Sequence, residues 1–450
     1  MFSKKFSFFA FIILLSNFAF AQHPEWSLRT NIYEVNVRQF SQEGTFAAFQ
    51  QALPRLKDMG VEILWFMPIT PIGIKERKMS PDDLGSYYAV KDYKDVNPEF
   101  GTLTDFKKLV DRAHAMGFKV ITDWVANHSA PDNHWVDAHP AFYTKDNNGK
   151  FVSPYDWTDV YKLDYNNIEL RDSMIDAMQF WIRETNIDGF RCDVAEPVPA
   201  SFWKDCITKL RKMKSIFMLA EGNTAWLHEA GFDATYNWNA MNYTKDLYTG
   251  KINATAFMDS LNNNAKQYPA DAMRLNFTTN HDENSWNGTE FEKYGDAYKM
   301  FAVFTMTYHQ SIPLIYNGQE IPNKKRLKFF VKDPIEWTGL EMEDFYKRLL
   351  FMRNNNAAMG LEANFKKLHT NVDGSVLSYV RTAQKGKVVV MLNLTASPQT
   401  VTIQDDALNG RAVDLFSGNS LILKSGQKQQ FDLAPWGFTV LDYGQQHGNF

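Results

Sequence analysis

The 450-residue chain has few cysteines, no excess of basic charge and, after its first twenty residues, no long apolar run. Two cysteines, Cys192 and Cys206, allow one bridge at most, so the fold does not rest on a disulfide framework. With 48 lysines and arginines against 52 aspartates and glutamates, and no basic cluster, the chain is a poor match for nucleic acid. Past Phe20 no segment is long and apolar enough to read as a membrane helix. No repeat or low-complexity tract interrupts the sequence.

Lys4 and Lys5, the apolar stretch Phe6 to Phe20 and the small-residue step ending at Ala21 have the form of a secretory signal peptide over residues 1–21. The mature chain is then expected to begin near Gln22, with 46 basic against 52 acidic side chains and a net charge of −6. No cysteine follows the apolar run, so no lipid anchor is expected, and the protein reads as exported, periplasmic or extracellular. Aromatic residues make up 15% of the chain, enough for a large core and also for stacking surfaces against flat apolar ligand faces such as those of sugars.

Downstream, short apolar runs alternate with amphipathic stretches whose apolar residues recur every three to four positions. Eight runs read as strands: NIYEVNVRQF, VEILWFMP, FKVITDWV, IDGFRCDV, SIFMLAEG, GFDATYN, RLNFTTN and IPLIYNGQE. Gly60 and Gly117 follow two of the intervening helices, where a glycine stop is expected. Eight strands alternating with helices predict an α/β fold, a parallel (β/α)₈ TIM barrel spanning 22–126 and 166–358. The polar, aromatic segment 127–165 is too long for a turn and reads as an excursion domain after the third strand. From 359 to 450 the texture changes to short alternating strands, predicting a separate all-β sandwich.

Within GFRCD, an arginine and an aspartate two residues apart interrupt an apolar strand. Residues i and i+2 share a face, so Arg191 and Asp193 are expected to point into the barrel mouth while Cys192 faces the helices. Asp123, Glu221 and Asp282 also fall at or just past strand ends, on strands three, five and seven. Enzymes of this fold build their sites at that face, so the four acids should converge. A lone acid at a strand end is more simply an ion pair; four in register call for a site. The adjacent cation is expected to keep Asp193 ionised, and like charges and burial to raise Glu221 so that it holds a proton. One carboxylate beside one carboxylic acid is the equipment for glycoside hydrolysis with retention.

These residues resemble the α-amylase family of glycoside hydrolases (family 13). Its motifs occur in order as DWVANH, GFRCD, LAEG and NHD, joined by WFMPI, SYYAVKDY and IPLIYNGQE. The resemblance implies that Asp193 is the nucleophile, Glu221 the acid/base and Asp282 the stabiliser of the transition state. It makes Arg191, His128, His281 and Tyr88 substrate-binding or orienting residues and leaves Asp123 to organise the site. Trp238 is a candidate platform for a second sugar, with a core role as the alternative. Asn127 falls at a calcium-ligand position, so a calcium ion is the one cofactor implied and no organic cofactor is expected. Two positions depart from the family: Ala195-Glu196-Pro197 stands where many members have a lysine and a histidine, and Tyr87 where glycine is common.

The expected substrate is an α-1,4-glucan of the starch type or a maltooligosaccharide. Neopullulanase, cyclomaltodextrinase, α-glucosidase and transglycosylase activities share the same acids. A non-catalytic glucan-binding protein is the alternative outside the enzymes, and the three filled acidic positions weigh against it. In the sandwich domain Trp436 is a candidate surface aromatic, set against a role in covering the barrel.

Overall fold

A computed structural model describes residues 23–77 and 82–444. The predicted signal peptide lies outside the described residues. Eight parallel strands close a barrel: β1 (Ile32–Val35), β2 (Ile63–Phe66), β3 (Lys119–Val125), β4 (Gly189–Asp193), β5 (Phe217–Ala220), β6 (Ala234–Tyr236), β7 (Met273–Asn276) and β8 (Ser311–Tyr316). Each of the eight sequence runs holds one of them. β1 pairs with β8 and with β2, which closes the ring.

Helices form where the sequence supplies caps. Thr102 and Asp105 make a reciprocal capping box at the start of Leu103–Ala115. Gly60 ends Leu53–Met59 in the left-handed conformation at φ 96°, and Gly117 follows the next long helix at φ 82°. The first predicted strand is shorter than its apolar run. Asn36 accepts the N–H of Gln39 and starts a helical turn, Val37–Phe40, so β1 stops at Val35.

Alternation along the strands separates two apolar layers. Ile32, Ile63, Trp65, Ile121, Leu219, Tyr236 and Leu314 fill the barrel, while Phe190, Cys192 and Ala220 pack outward with the helices. Gly189 opens β4 because a Cβ there would lie 1.9 Å from the Phe217 carbonyl oxygen. Both cysteines are buried and free.

After β3 the chain leaves the barrel. His128–Ser129 pairs antiparallel with Tyr161–Lys162, and the segment between carries a short helix, His134–Ala138. Beyond the barrel, a six-stranded and a two-stranded antiparallel sheet enclose Val376, Val389, Met391, Val401 and Ile403. Trp436 packs against Tyr248 and Phe301 of the barrel, which settles it as a covering residue. Among the described residues no helix is long and apolar enough to cross a membrane.

Candidate active site

The parallel register sets Asp123 beside Arg191 and Val125 beside Asp193, so the motif charges of β3 and β4 share one rim. Arg191 is the hub. Its Nη1 lies 2.9 Å from both Asp123 and Asp193, and its Nη2 is 3.0 Å from Glu221. Nε donates to the Tyr236 hydroxyl at 3.1 Å. The guanidinium also rests over the rings of Trp65 and Tyr236, at 5.2 and 5.5 Å. One fully buried cation therefore orders three carboxyl groups that are up to 98 residues apart in sequence.

This geometry corrects the charge assignment expected from sequence. Burial pushes Asp193 well above the ordinary carboxylate range, against the pull of Arg191. Burial also acts to raise Glu221, but Arg191, the Val194 N–H and His281 outweigh it and hold that group low. The strand pattern places the arginine next to Asp193; it does not reveal that the side chain also reaches Glu221. Asp123, buried between its neighbours, is raised to about 6 despite Arg191.

Val194 has a left-handed backbone, φ 40°, which a β-branched residue adopts only under strain. That conformation turns its N–H to Glu221 Oε2 at 2.9 Å.

Tyr88 links two of the acids: its hydroxyl donates to Asp123 Oδ2 at 3.2 Å and lies 2.7 Å from His281 Nε2. His281 Nε2 is also 3.4 Å from Asp282 Oδ2. On the other side of the imidazole, Nδ1 meets Glu34. Burial lowers the proton affinity of His281, yet Asp282 and Glu34 raise it to about 9. His128, by contrast, is pushed down by burial to about 4 and is neutral.

A cavity of about 680 Å³ opens over this cluster. Tyr88, His128, Asp193, Glu221 and Asp282 line its inner wall. Aromatic rings complete the lining: Trp157, packed edge-on against His128, and the cluster of Trp286, Phe329 and Phe330. Arg191 and His281 lie just behind the wall, each 1% exposed. The structure thus brings together every sequence-named residue except Trp238 and Asn127. Trp238 is the first residue of helix Trp238–Tyr248, half-buried against Tyr236 and Phe277, and takes the core alternative. Glu34, Tyr236 and the four aromatics of the lining were not anticipated.

Asn127 is buried, with its amide 3.3 Å from His128 Nδ1 and its carbonyl bonded to the Leu163 N–H. Among the described residues no group of three or more histidine, cysteine, aspartate or glutamate side chains could hold a metal ion. Through its contacts with His128 and Leu163, Asn127 ties the excursion to the barrel.

The chain matches the family model described as "Alpha amylase, catalytic domain" over residues 34–158 and 140–355. It belongs to the α-amylase family of glycoside hydrolases. As a member of that family it is an enzyme that hydrolyses O-glycosyl bonds. The sandwich matches "Maltogenic Amylase, C-terminal domain" over 365–440. The solved structure of a noncanonic maltogenic alpha-amylase, AmyB from Thermotoga neapolitana, is 28% identical with a TM-score of 0.83, covering 93% of this chain and 99% of that one. An alpha-amylase from Lactobacillus plantarum is 29% identical at a TM-score of 0.80, with the same coverage. Neopullulanase 2 of Thermoactinomyces vulgaris is 28% identical over 428 residues, 87% of this chain and 70% of that protein. Alpha-amylase MalA of Haloarcula japonica is 25% identical over 399 residues, but the alignment spans only 57% of its length.

Within this α-amylase-family site the two departures have definite partners. Glu196 Oε1 accepts the N–H of Asn223 at 2.6 Å, bracing the loop after β5 with an acid where many members carry a lysine. Tyr87 donates to Asn36 at 3.1 Å and lies under the Arg38 guanidinium.

Proposed function

We propose that the protein is a retaining hydrolase of α-1,4-glucosidic bonds in starch-like glucans or maltooligosaccharides. One observation supports this reading most directly: Asp193 and Glu221 face one cavity and are held side by side on the two terminal nitrogens of the Arg191 guanidinium, at 2.9 and 3.0 Å. Inverting enzymes separate their carboxyls by about 6.5–9.5 Å to admit water between them, whereas retaining enzymes keep the pair close.

The reaction begins with the proton on Glu221 and with Asp193 as the carboxylate. Asp193 then attacks the anomeric carbon, the glycosidic C–O bond breaks, and Glu221 protonates the departing oxygen. In the second half Glu221 takes a proton from water, whose oxygen displaces Asp193 from the sugar. Arg191 orients Asp193, and Asp282 with Tyr88 faces the sugar as charge develops.

The similarity to a neopullulanase and to a maltogenic C-terminal domain supports a second reading, preference for pullulan or cyclic maltodextrins. Incubation with maltoheptaose, pullulan and a cyclodextrin, followed by chromatography, separates the two. Fastest cleavage of maltoheptaose with internal cuts supports the first; faster loss of the other two supports the second. Proton NMR of the first-formed product must show the α-anomer, and the β-anomer would refute retention. The amino-terminal segment supports export to the periplasm or the medium, which amino-terminal sequencing of the protein from cell fractions would test.

A further inference from the structure

Glu34 sits near the end of β1, fully buried, in a strand that is otherwise apolar apart from the Tyr33 hydroxyl. Its Oε1 meets His281 Nδ1, and its Oε2 is buried without a partner. The family motifs do not include it, and the reaction scheme above gives it no task. A buried carboxylate with an unpaired oxygen needs a cation in contact or a proton of its own. Arg191, the nearest permanent cation, has its guanidinium committed to Asp123, Asp193, Glu221 and Tyr236. Among the described residues, His281 is the one ionisable group in hydrogen-bond contact with the Glu34 side chain.

The donors and acceptors around His281 constrain its state. Tyr88 has one hydroxyl proton, and it goes to Asp123. The Tyr88 oxygen must therefore accept from His281 Nε2. Burial raises the Glu34 carboxyl against the pull of His281 and Arg191; with Glu34 ionised it can only accept, so Nδ1 donates as well. Both imidazole nitrogens then carry protons. The remaining groups that bear on the pair are Asp282 beside Nε2, Asp123, Glu221 and Arg191 across the mouth, and Tyr236 and Tyr316 near Glu34.

We infer that Glu34 is a positioning residue that holds His281 as an imidazolium, and that this cation sets Tyr88 and Asp282 against the reacting sugar. Glu34 touches no substrate; it acts through His281. The role in turnover rests on the reading of the cavity as a glucan-hydrolysing site. The chain Glu34, His281, Tyr88, Asp123 and Arg191 ties β1 to β4 across the mouth, so the first strand contributes a charge to the site without reaching it.

The test is nitrogen-15 NMR of the imidazoles in the ligand-free full chain, with His281 assigned from the signal lost in His281→Gln. In the parent, His281 is expected to carry both protons at about pH 7.5. In Glu34→Gln it is expected to lose one at a pH lower by about two units, a hundredfold fall in proton affinity. Hydrolysis of the best glucan by Glu34→Gln is expected to fall about tenfold or more in kcat, more steeply above neutral pH, with little change in KM. Glu34→Asp should recover part of the loss. A singly protonated His281 in the parent at neutral pH would overturn the inference, as would an unshifted titration or a loss uniform across pH in the variant. Should Glu34→Gln not fold, the parent spectrum alone decides. The titration needs no substrate, so a parent inactive on every glucan would sink the proposed reaction and leave the Glu34 result readable.

Discussion

The backbone N–H of Val194, the residue directly after Asp193, donates to Glu221 at 2.9 Å. The two carboxyls are thus held in one frame by main chain as well as by Arg191, although Glu221 and its donor are 27 positions apart in sequence.

That frame gives the two acids separable signatures. Glu221→Gln should lower turnover of maltooligosaccharides by about 10² to 10⁴. With an aryl maltooside, whose leaving group needs no proton, it should still give a burst of phenol release followed by slow turnover. Asp193→Asn should give no burst. Both variants should keep the parental circular dichroism, and a burst in Asp193→Asn would reverse the assignment.

Arg191 is the cation paired with Asp123, Asp193 and Glu221, so its removal leaves the ionised ones among them without a counter-charge. Arg191→Met should cost about 3–5 kcal/mol in urea unfolding. The loss should be smaller near pH 5 than near pH 8, because protonation of Asp123, raised to about 6, removes one uncompensated charge. A pH-independent loss would show that packing, not charge, dominates there.

Asp188 precedes β4 at the opposite end of the barrel. It is buried against His114 at 2.7 Å, Lys214 at 3.0 Å and the Val120 N–H at 2.9 Å. Burial would raise it, but these partners lower it to about 2. A depressed carboxylate stabilises the fold above its unfolded value, near 4, and that contribution disappears as pH falls through about 2. The stability gap between parent and Asp188→Asn should therefore shrink by roughly 2 kcal/mol between about pH 5 and pH 2. Urea midpoints across that range check it, and a constant gap would count against it.

Trp286 is 53% exposed and Trp157 36% exposed, and both line the cavity. Alanine at either position should raise KM for long maltooligosaccharides several-fold, about 1 kcal/mol each, by removing a stacking face. Activity on a short aryl glycoside should change little. Equal effects on long and short substrates would place these rings in folding rather than in binding.

The barrel was legible because each strand is a short apolar run closed by a helix with its own capping residues. The acids were legible because charges inside such runs are costly unless a site uses them. Glu34 gives the same signal, a lone carboxylate in IYEV, but it was hidden by reading the strand on through Val37 and Arg38. Asn36 ends β1 and leaves Glu34 at the rim. The charge states were not legible, since they depend on how far the Arg191 side chain reaches. Trp157, Trp286, Phe329 and Phe330 stand on loops, where no periodicity marks which aromatic turns toward the cavity. Trp238 misled because its motif neighbours are polar, while the start of a helix turned the ring onto Phe277.

Arg381 of the sandwich is buried, and its guanidinium donates to the carbonyls of Thr307, Tyr308 and Gly360. Cutting the chain after the last barrel helix, Glu343–Asn355, would leave the Thr307 and Tyr308 oxygens without this donor and uncover Tyr308. A shortened version carrying only the catalytic half is thus an unsound engineering goal: the carboxy-terminal portion is a lid on the scaffold, not an appendage.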